Sequence, residues 1–248
     1  APARKGAVSD YDIGPGYQAH VRQYAMMKRP VRIAADFANA MGIREAECLK
    51  GLIEMDRLFD TLDGNLPNHE ANPLNTETLS TLRGKVAAGQ YDFGVAFDGD
   101  ADRVGFVDER GEIIPMDMIT ALVAQDVLSK EKGVILYDLR SSWAVKEVVE
   151  ENGGTPMMCR VGHAFIKQQM RKAGAVFAGE LSGHYYFRDN YYTESSAMAV
   201  LAVANVVSAA GKPLSRLIQP IRRYFASGEI NSEVRNTDRI MNELRARY

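Results

Sequence analysis

The hydrophobic positions of this chain alternate between two periods. Short apolar runs predict strands, at residues 31–35, 93–97, 104–107, 134–137, 155–159 and 175–178. After Pro115 the period changes, and Ile119, Leu122, Val123 and Val127 fall on one helical face. The pattern therefore predicts strands and helices that alternate along the chain.

The order of these elements predicts the fold class. A β-α-β-α-β rhythm indicates largely parallel strands with helices on both faces of the sheet. We predict an α/β protein made of two mixed, mostly parallel α/β/α sandwich domains in tandem. Their predicted limits are residues 1–130 and 131–228, followed by a short tail, 229–248. In such sheets a functional site is expected at the carboxyl ends of the strands.

Composition narrows the protein class without naming a function. The 248 residues are 46% hydrophobic and 25% charged, with a formal net charge of −2. These values are typical of a globular protein and do not indicate a nucleic-acid surface. Two cysteines form no disulfide framework, so a cytoplasmic protein is expected, and no apolar run approaches the ~20 residues of a membrane helix. Trp143 and the methionines are expected to fill the core.

The sharpest chemical signal follows the apolar strand at residues 93–97. Asp98, Asp100 and Asp102 alternate with Gly99 and Ala101, and Arg103 comes next. Carboxylates this close repel one another unless a cation lies between them. A hard divalent cation with oxygen ligands fits, and Mg²⁺ is preferred beside phosphate. Arg103 offers a fork of donors for a phosphate group.

This loop has other interpretations. An acidic turn exposed to solvent is one. A calcium loop of the EF-hand type is rejected, because its required glycine would fall at Arg103 and its flanking segments are strand-like. A phosphatase with an aspartyl nucleophile stays open as an alternative, although the lysine it needs cannot be placed. A metal-binding or sugar-phosphate-binding module without catalysis is also open.

A second polar loop follows the strand at residues 175–178. It reads Gly-Glu-Leu-Ser-Gly-His over residues 179–184. Glu180 can accept hydrogen bonds from two sugar hydroxyls, while Ser182 and His184 can donate or accept. Taken alone, such a loop is more typical of an ordinary turn.

Together the two loops closely resemble those of the α-D-phosphohexomutases of the phosphomannomutase/phosphoglucomutase type. The resemblance rests on residues 98–108, 63–74, 137–142, 160–167 and 179–184, and covers the second and third domains of that family. Leu181 stands where the family usually has methionine, and Ala40 where it usually has glycine.

The resemblance implies roles for nine residues. Mg²⁺ would be bound by Asp98, Asp100 and Asp102, and Arg103 would contact phosphate. Glu180, Ser182 and His184 would bind the sugar. His163 would face the cleft, and Arg140 would lie near the reacting oxygen, with an electrostatic role because its guanidinium stays protonated. For His163 a capping or core role, and for Arg140 a surface ion pair, are the alternatives; Lys167 is expected to be a solvated helix residue, and His69 to make a loop hydrogen bond.

The implied activity is Mg²⁺-dependent phosphoryl transfer that interconverts hexose 1-phosphate and hexose 6-phosphate through a bisphosphorylated sugar. The family's phosphoserine loop and its C-terminal phosphate-gripping loop have no counterpart among these residues. We therefore expect a fragment, inactive alone, whose partners are hexose phosphate, hexose 1,6-bisphosphate and the missing N- and C-terminal domains. The sequence does not distinguish mannose, glucose and glucosamine phosphates.

Overall fold

The described part of the chain contains two five-stranded sheets, each flanked by helices. A computed structural model describes residues 6–226, 228, 230 and 232–247. The strands are β1 (Arg32–Asp36), β2 (Glu54–Leu58), β3 (Phe93–Phe97), β4 (Val104–Asp108), β5 (Ile113–Ile114), β6 (Val134–Asp138), β7 (Thr155–Cys159), β8 (Phe177–Gly179), β9 (Tyr185–Phe187) and β10 (Thr193–Glu194). The helices are α1 (Gly14–Arg22), α2 (Gly42–Leu49), α3 (Ser80–Ala88), α4 (Met116–Lys130), α5 (Trp143–Glu151), α6 (His163–Ala173), α7 (Ser196–Ala210), α8 (Leu214–Ile218) and α9 (Thr237–Arg247).

Both sheets mix parallel and antiparallel pairs. The first has the order β2-β1-β3-β4-β5, with β1 parallel to β2 and β3, and β4 antiparallel to both of its neighbours. The second has the order β10-β9-β8-β6-β7, with β6 parallel to β7 and β8, and β9 antiparallel to both of its neighbours. The predicted fold of two mixed α/β sheets is confirmed.

The alternation of side chains along the strands explains why each sheet is covered on both faces. In β1, Ile33 and Ala35 join the large core while Ala34 packs against α3 on the opposite face. In β6, Ile135 faces the large core and Leu136 packs against α6. Helices α4 and α7 contact each other, and the large core contains residues of both sheets. The two units therefore share one apolar interior.

Helix α4 bears on the division of the chain. It contacts β4 of the first sheet as well as β6 and β8 of the second. The division at residue 130 stays a prediction, and the predicted limits at residues 1, 229 and 248 lie outside the described residues.

Three expectations need correction or addition. Trp143 is 74% exposed and does not fill the core, because it begins α5 one residue before the buried face starts at Ala144. Four methionines are also exposed rather than in the core: Met26, Met41, Met158 and Met241. Strand β2 was not predicted, since its polar edge sequence lacks an apolar run. Residues 237–247 of the predicted tail form a helix without buried side chains. In the part of the chain that the structure describes, no helix is long and apolar enough to cross a membrane.

Candidate active site

The aspartate loop connects β3 to β4, at the carboxyl end of the first sheet's central strand. Asp98 is buried, Asp102 is partly buried and Asp100 is exposed. One carboxylate oxygen from each of the three lies within 4.8 Å of the others. Three carboxylate oxygens so close together are the donor set that a hard divalent cation takes, so these residues fit Mg²⁺.

Arg103 balances part of this negative charge. Its Nε donates to Asp98 Oδ2 at 2.6 Å, and its backbone N–H donates to Asp98 Oδ1 at 3.1 Å. Burial raises the pKa of Asp98, while these bonds to Arg103 oppose the rise. The guanidinium thus lies against the aspartate loop, and its contact with phosphate stays a prediction.

His184 joins the second polar loop to the aspartate loop. Its Nε2 lies 3.3 Å from Asp102 Oδ2, and its Nδ1 lies 3.2 Å from Glu180 Oε2 and 2.9 Å from Ser182 Oγ. The backbone N–H of Val104 also donates to the Gly183 carbonyl at 3.1 Å. The predicted metal residues and sugar residues therefore form one continuous surface.

The charges in this surface stabilise one another. Burial alone would lower the pKa of His184, but hydrogen bonds to Asp102 and Glu180 outweigh it and raise the pKa to about 9. The hydrogen bond from His184 is in turn the main reason that the pKa of Asp102 is lowered. In this arrangement His184 is an imidazolium between two carboxylates, able to donate from both ring nitrogens.

Glu180 is more enclosed than the sequence suggested. It is 1% exposed, and its oxygens accept from the Gly162 N–H at 3.1 Å and the Tyr186 hydroxyl at 2.6 Å, in addition to His184. Burial raises its pKa, but these three donors outweigh burial and lower it overall. Direct contact with a sugar stays a prediction; what the geometry gives is a carboxylate that orients His184 and the start of α6.

Arg140 is held by a residue that the sequence reasoning missed. Its Nη2 and Nε lie 2.9 and 3.2 Å from Asp138 Oδ2, and Asp138 is fully buried at the end of β6. The same carboxylate accepts from the Leu181 N–H at 3.1 Å and from the Ser141 hydroxyl. Arg140 therefore forms a partly buried ion pair and is fixed relative to the second polar loop, residues 179–184. An Asp at a strand end two residues before an Arg was the signal that could have revealed this pair.

His163 is exposed at the first position of α6 and is not a core residue. Its predicted position facing the cleft stays a prediction. Lys167 lies 3.5 Å from its Nδ1 and 2.7 Å from Glu194. Lys167 was predicted to be solvated, but this prediction is wrong, because its side chain is only 21% exposed and forms an ion pair with Glu194.

The upstream loop makes the hydrogen bonds expected of it. His69 Nε2 lies 3.2 Å from both oxygens of the buried Asp36, and Nδ1 lies 2.8 Å from the Glu70 carbonyl. The left-handed residues of this turn are Ala38 and Asn39, not Ala40. Alanine at the usual glycine position is thus accommodated without backbone strain.

Asp117, at the start of α4, hydrogen-bonds the loop between β6 and α5 that contains Arg140. Its Oδ2 accepts from the Ser142 N–H at 2.8 Å, while its buried Oδ1 has no hydrogen-bond partner within the described residues. Burial raises its pKa, with the Ser142 N–H opposing the rise. The folded state therefore loses stability as pH rises from the ordinary aspartate pKa to this raised pKa, because Asp117 keeps its proton to a higher pH in the folded chain than in the unfolded one.

We predict that the free energy of unfolding of Asp117→Asn rises relative to that of the parent as pH rises. Urea unfolding measures the difference in free energy of unfolding between variant and parent at pH 4 and at pH 7. Between these pH values the difference should change in favour of the variant by about 1.4 kcal/mol for each unit by which the pKa is raised. The exposed Asp60→Asn is the control. A difference between Asp117→Asn and parent that does not change with pH, or that favours the parent at pH 7, would contradict the assignment.

Two family models match the chain. Residues 15–111 match the phosphoglucomutase/phosphomannomutase alpha/beta/alpha domain II, and residues 115–224 match domain III of the same family. The chain belongs to this family. The resemblance of the two loops to the phosphohexomutases is thereby confirmed.

Curated relatives give the same result at moderate identity. A phosphoglucomutase of Neisseria gonorrhoeae is 35% identical over 254 residues, covering 100% of this chain and 55% of the relative. A phosphomannomutase of Methanocaldococcus jannaschii is 39% identical over 221 residues, covering 88% of this chain and 49% of the relative. The chain thus spans about half the length of the curated relatives it matches.

Solved structures agree in fold. A phosphoglucomutase/phosphomannomutase family protein from Burkholderia thailandensis superposes with a TM-score of 0.79 and 33% identity, over 84% of this chain and 46% of that one. An N-acetylphosphoglucosamine mutase from Aspergillus fumigatus, solved with GlcNAc-6P and magnesium, has a TM-score of 0.64 at 14% identity, over 83% of this chain and 49% of that one. The second likeness shows the fold alone.

Proposed function

We propose that this chain supplies the metal-binding and sugar-binding parts of an enzyme that interconverts hexose 1-phosphate and hexose 6-phosphate. Family membership supports this reaction class. The observation that carries the proposal is the junction of the two loops, where His184 Nε2 lies 3.3 Å from Asp102 and the Val104 N–H binds the Gly183 carbonyl. A hexose phosphate bound there would have its sugar beside one loop and its phosphate beside the other.

The proposed roles follow from charge and position. Asp98, Asp100 and Asp102 would hold Mg²⁺, which when bound neutralises negative charge on a phosphoryl group. Arg103 and Arg140 would orient phosphate oxygens through their guanidinium groups, each held by a buried aspartate.

The remaining residues would act on the sugar. His184 can donate to a hydroxyl only by exchanging one of its present partners, and Glu180 keeps it in place. Ser182 would add one donor or acceptor. His163, exposed at the first position of α6, would donate to or accept from a substrate oxygen.

The proposed ligands are a hexose phosphate and its 1,6-bisphosphate. Because the chain spans about half of its curated relatives, we propose that the phosphoserine and the grip on the non-reacting phosphate come from the flanking domains of the same protein. The flanking domains would then have to supply a phosphoryl donor that is precisely positioned beside this chain's loops.

The phosphatase alternative has less support from the geometry. Both oxygens of Asp98 accept hydrogen bonds from Arg103, which lowers the nucleophilicity of that carboxylate. Lys167, the lysine described beside His163, is paired with Glu194. A phosphatase would need both groups free to act on phosphate.

Glu180→Gln is expected to weaken hexose phosphate use about tenfold to a hundredfold without changing Mg²⁺ affinity. The substitution removes one carboxylate from His184 and replaces charge-assisted hydrogen bonds, each contributing about 1.5–3 kcal/mol. Steady-state kinetics of the intact enzyme and calorimetric Mg²⁺ titration measure the two effects, with the exposed Glu77→Gln as matched control. Reduced Mg²⁺ affinity with unchanged sugar phosphate use would refute the assignment.

A further inference from the structure

The aspartate loop is also supported by a residue of helix α7. The hydroxyl of Ser196, in the first turn of α7, donates to the Ala101 carbonyl at 2.6 Å. Ser196 is 1% exposed and Ala101 is buried, so no water competes for this bond. Ala101 stands between two of the proposed ligands, Asp100 and Asp102.

The conformation of Ala101 makes this hydrogen bond important. Its φ of +65° lies in the left-handed region, which is unfavourable for a non-glycine residue. Such conformations persist when the surrounding structure enforces them. The Ala101 carbonyl belongs to the peptide that leads into Asp102, so fixing its oxygen also fixes the direction in which Asp102 leaves the backbone.

Ser196 is itself anchored to the first unit. Glu45 of α2 accepts from the Ala197 N–H at 3.2 Å and from the Tyr17 hydroxyl at 2.9 Å. The Tyr17 hydroxyl also lies 2.8 Å from Ser195 Oγ, which caps α7 by accepting the Met198 N–H. These hydrogen bonds connect the first turn of α7 to both α1 and α2, so the position of Ser196 is fixed independently of the aspartate loop.

We propose that Ser196 is a positioning residue for the divalent cation, holding the Ala101 peptide so that Asp100 and Asp102 converge. This inference rests on the proposed function of the aspartate loop. It assigns a metal-related role to a helix that the sequence presents only as Ala/Val-rich core.

The test compares two serine-to-alanine changes in the same helix. Ser208 is also buried in α7, and its hydroxyl binds the backbone N–H groups of Lys28 and Arg29 at 2.6 and 2.7 Å, away from the loop. The probe is Mn²⁺, followed by electron paramagnetic resonance and displaced by Mg²⁺. Ser196→Ala should weaken Mn²⁺ binding about tenfold, the lower end of the effect of removing a group hydrogen-bonded to a metal ligand, because Ser196 acts through the backbone between two ligands; Ser208→Ala should not change it.

Ser196→Thr, which keeps the hydroxyl, should restore the parent affinity; if its extra methyl prevents folding, the comparison of the two alanine variants still decides. Equal Mn²⁺ affinity in parent and Ser196→Ala, or equal losses in Ser196→Ala and Ser208→Ala, would overturn the proposal. A parent chain that does not bind Mn²⁺, or that binds it no better than Asp100→Ala, would refute the metal site itself. Loss in Asp100→Ala with no loss in Ser196→Ala would refute only the role of Ser196.

Discussion

Replacing Asp100 with alanine is expected to remove divalent-cation binding and to lower the proposed mutase activity of the full-length protein by about a thousandfold or more. A metal ion contributes several kcal/mol to stabilising charge on a transferring phosphoryl group, and each 1.36 kcal/mol corresponds to about tenfold in rate. Asp100 is exposed, unlike Asp98, which is buried and bound to Arg103. Its loss should therefore leave folding intact.

Calorimetric titration with Mg²⁺ and steady-state kinetics measure this effect, and thermal unfolding checks the fold. Asp60→Ala is the matched control, since Asp60 is an exposed aspartate just beyond β2, at the same edge of the sheet. Unchanged Mg²⁺ affinity in Asp100→Ala, or a loss of similar size in Asp60→Ala, would show that the aspartate loop is not the cation site.

The 248 residues alone are expected to convert glucose 1-phosphate or mannose 1-phosphate at background rate, even with Mg²⁺ and bisphosphate activator. Of the serines that touch the two loops, Ser182 hydrogen-bonds His184 and Ser196 hydrogen-bonds the Ala101 carbonyl. Both hydroxyls are engaged in these hydrogen bonds, so we do not expect either serine to carry the phosphoryl group that is transferred. Without a positioned donor, about 7–11 kcal/mol of barrier reduction is unavailable.

A coupled assay that detects the 6-phosphate measures this rate. Turnover above background that disappears in Asp98→Ala would contradict the expectation, because it would place a complete phosphoryl-transfer apparatus within this chain. Activity that persists in Asp98→Ala would instead point to a contaminating enzyme.

Local chemistry explains why much of the site could be predicted from the sequence. The apolar run at residues 93–97 is β3, and the loop after it brings the three aspartates together because all three lie within five residues. The sugar loop likewise follows β8 directly. Where function depends on a strand end and the next few residues, the order along the chain is close to the order in space.

Long-range contacts explain what could not be predicted. Asp138 interacts with Leu181 and Ser196 with Ala101, across separations that no local pattern reports. The exposure of Trp143 depends on where α5 begins relative to its neighbours. Polar residues inside an apolar context, such as Ser196 in α7, reveal their partners only in the folded chain.

The central claim is that the joined loops bind a hexose bisphosphate beside a cation. It is tested most directly by ³¹P nuclear magnetic resonance of glucose 1,6-bisphosphate titrated with this chain and Mg²⁺. We predict a saturable change in a phosphate resonance that is lost without Mg²⁺ and in Asp100→Ala, with no inorganic phosphate formed. Growth of an inorganic phosphate signal would indicate a phosphatase, and spectra unchanged by the chain would contradict the proposed site.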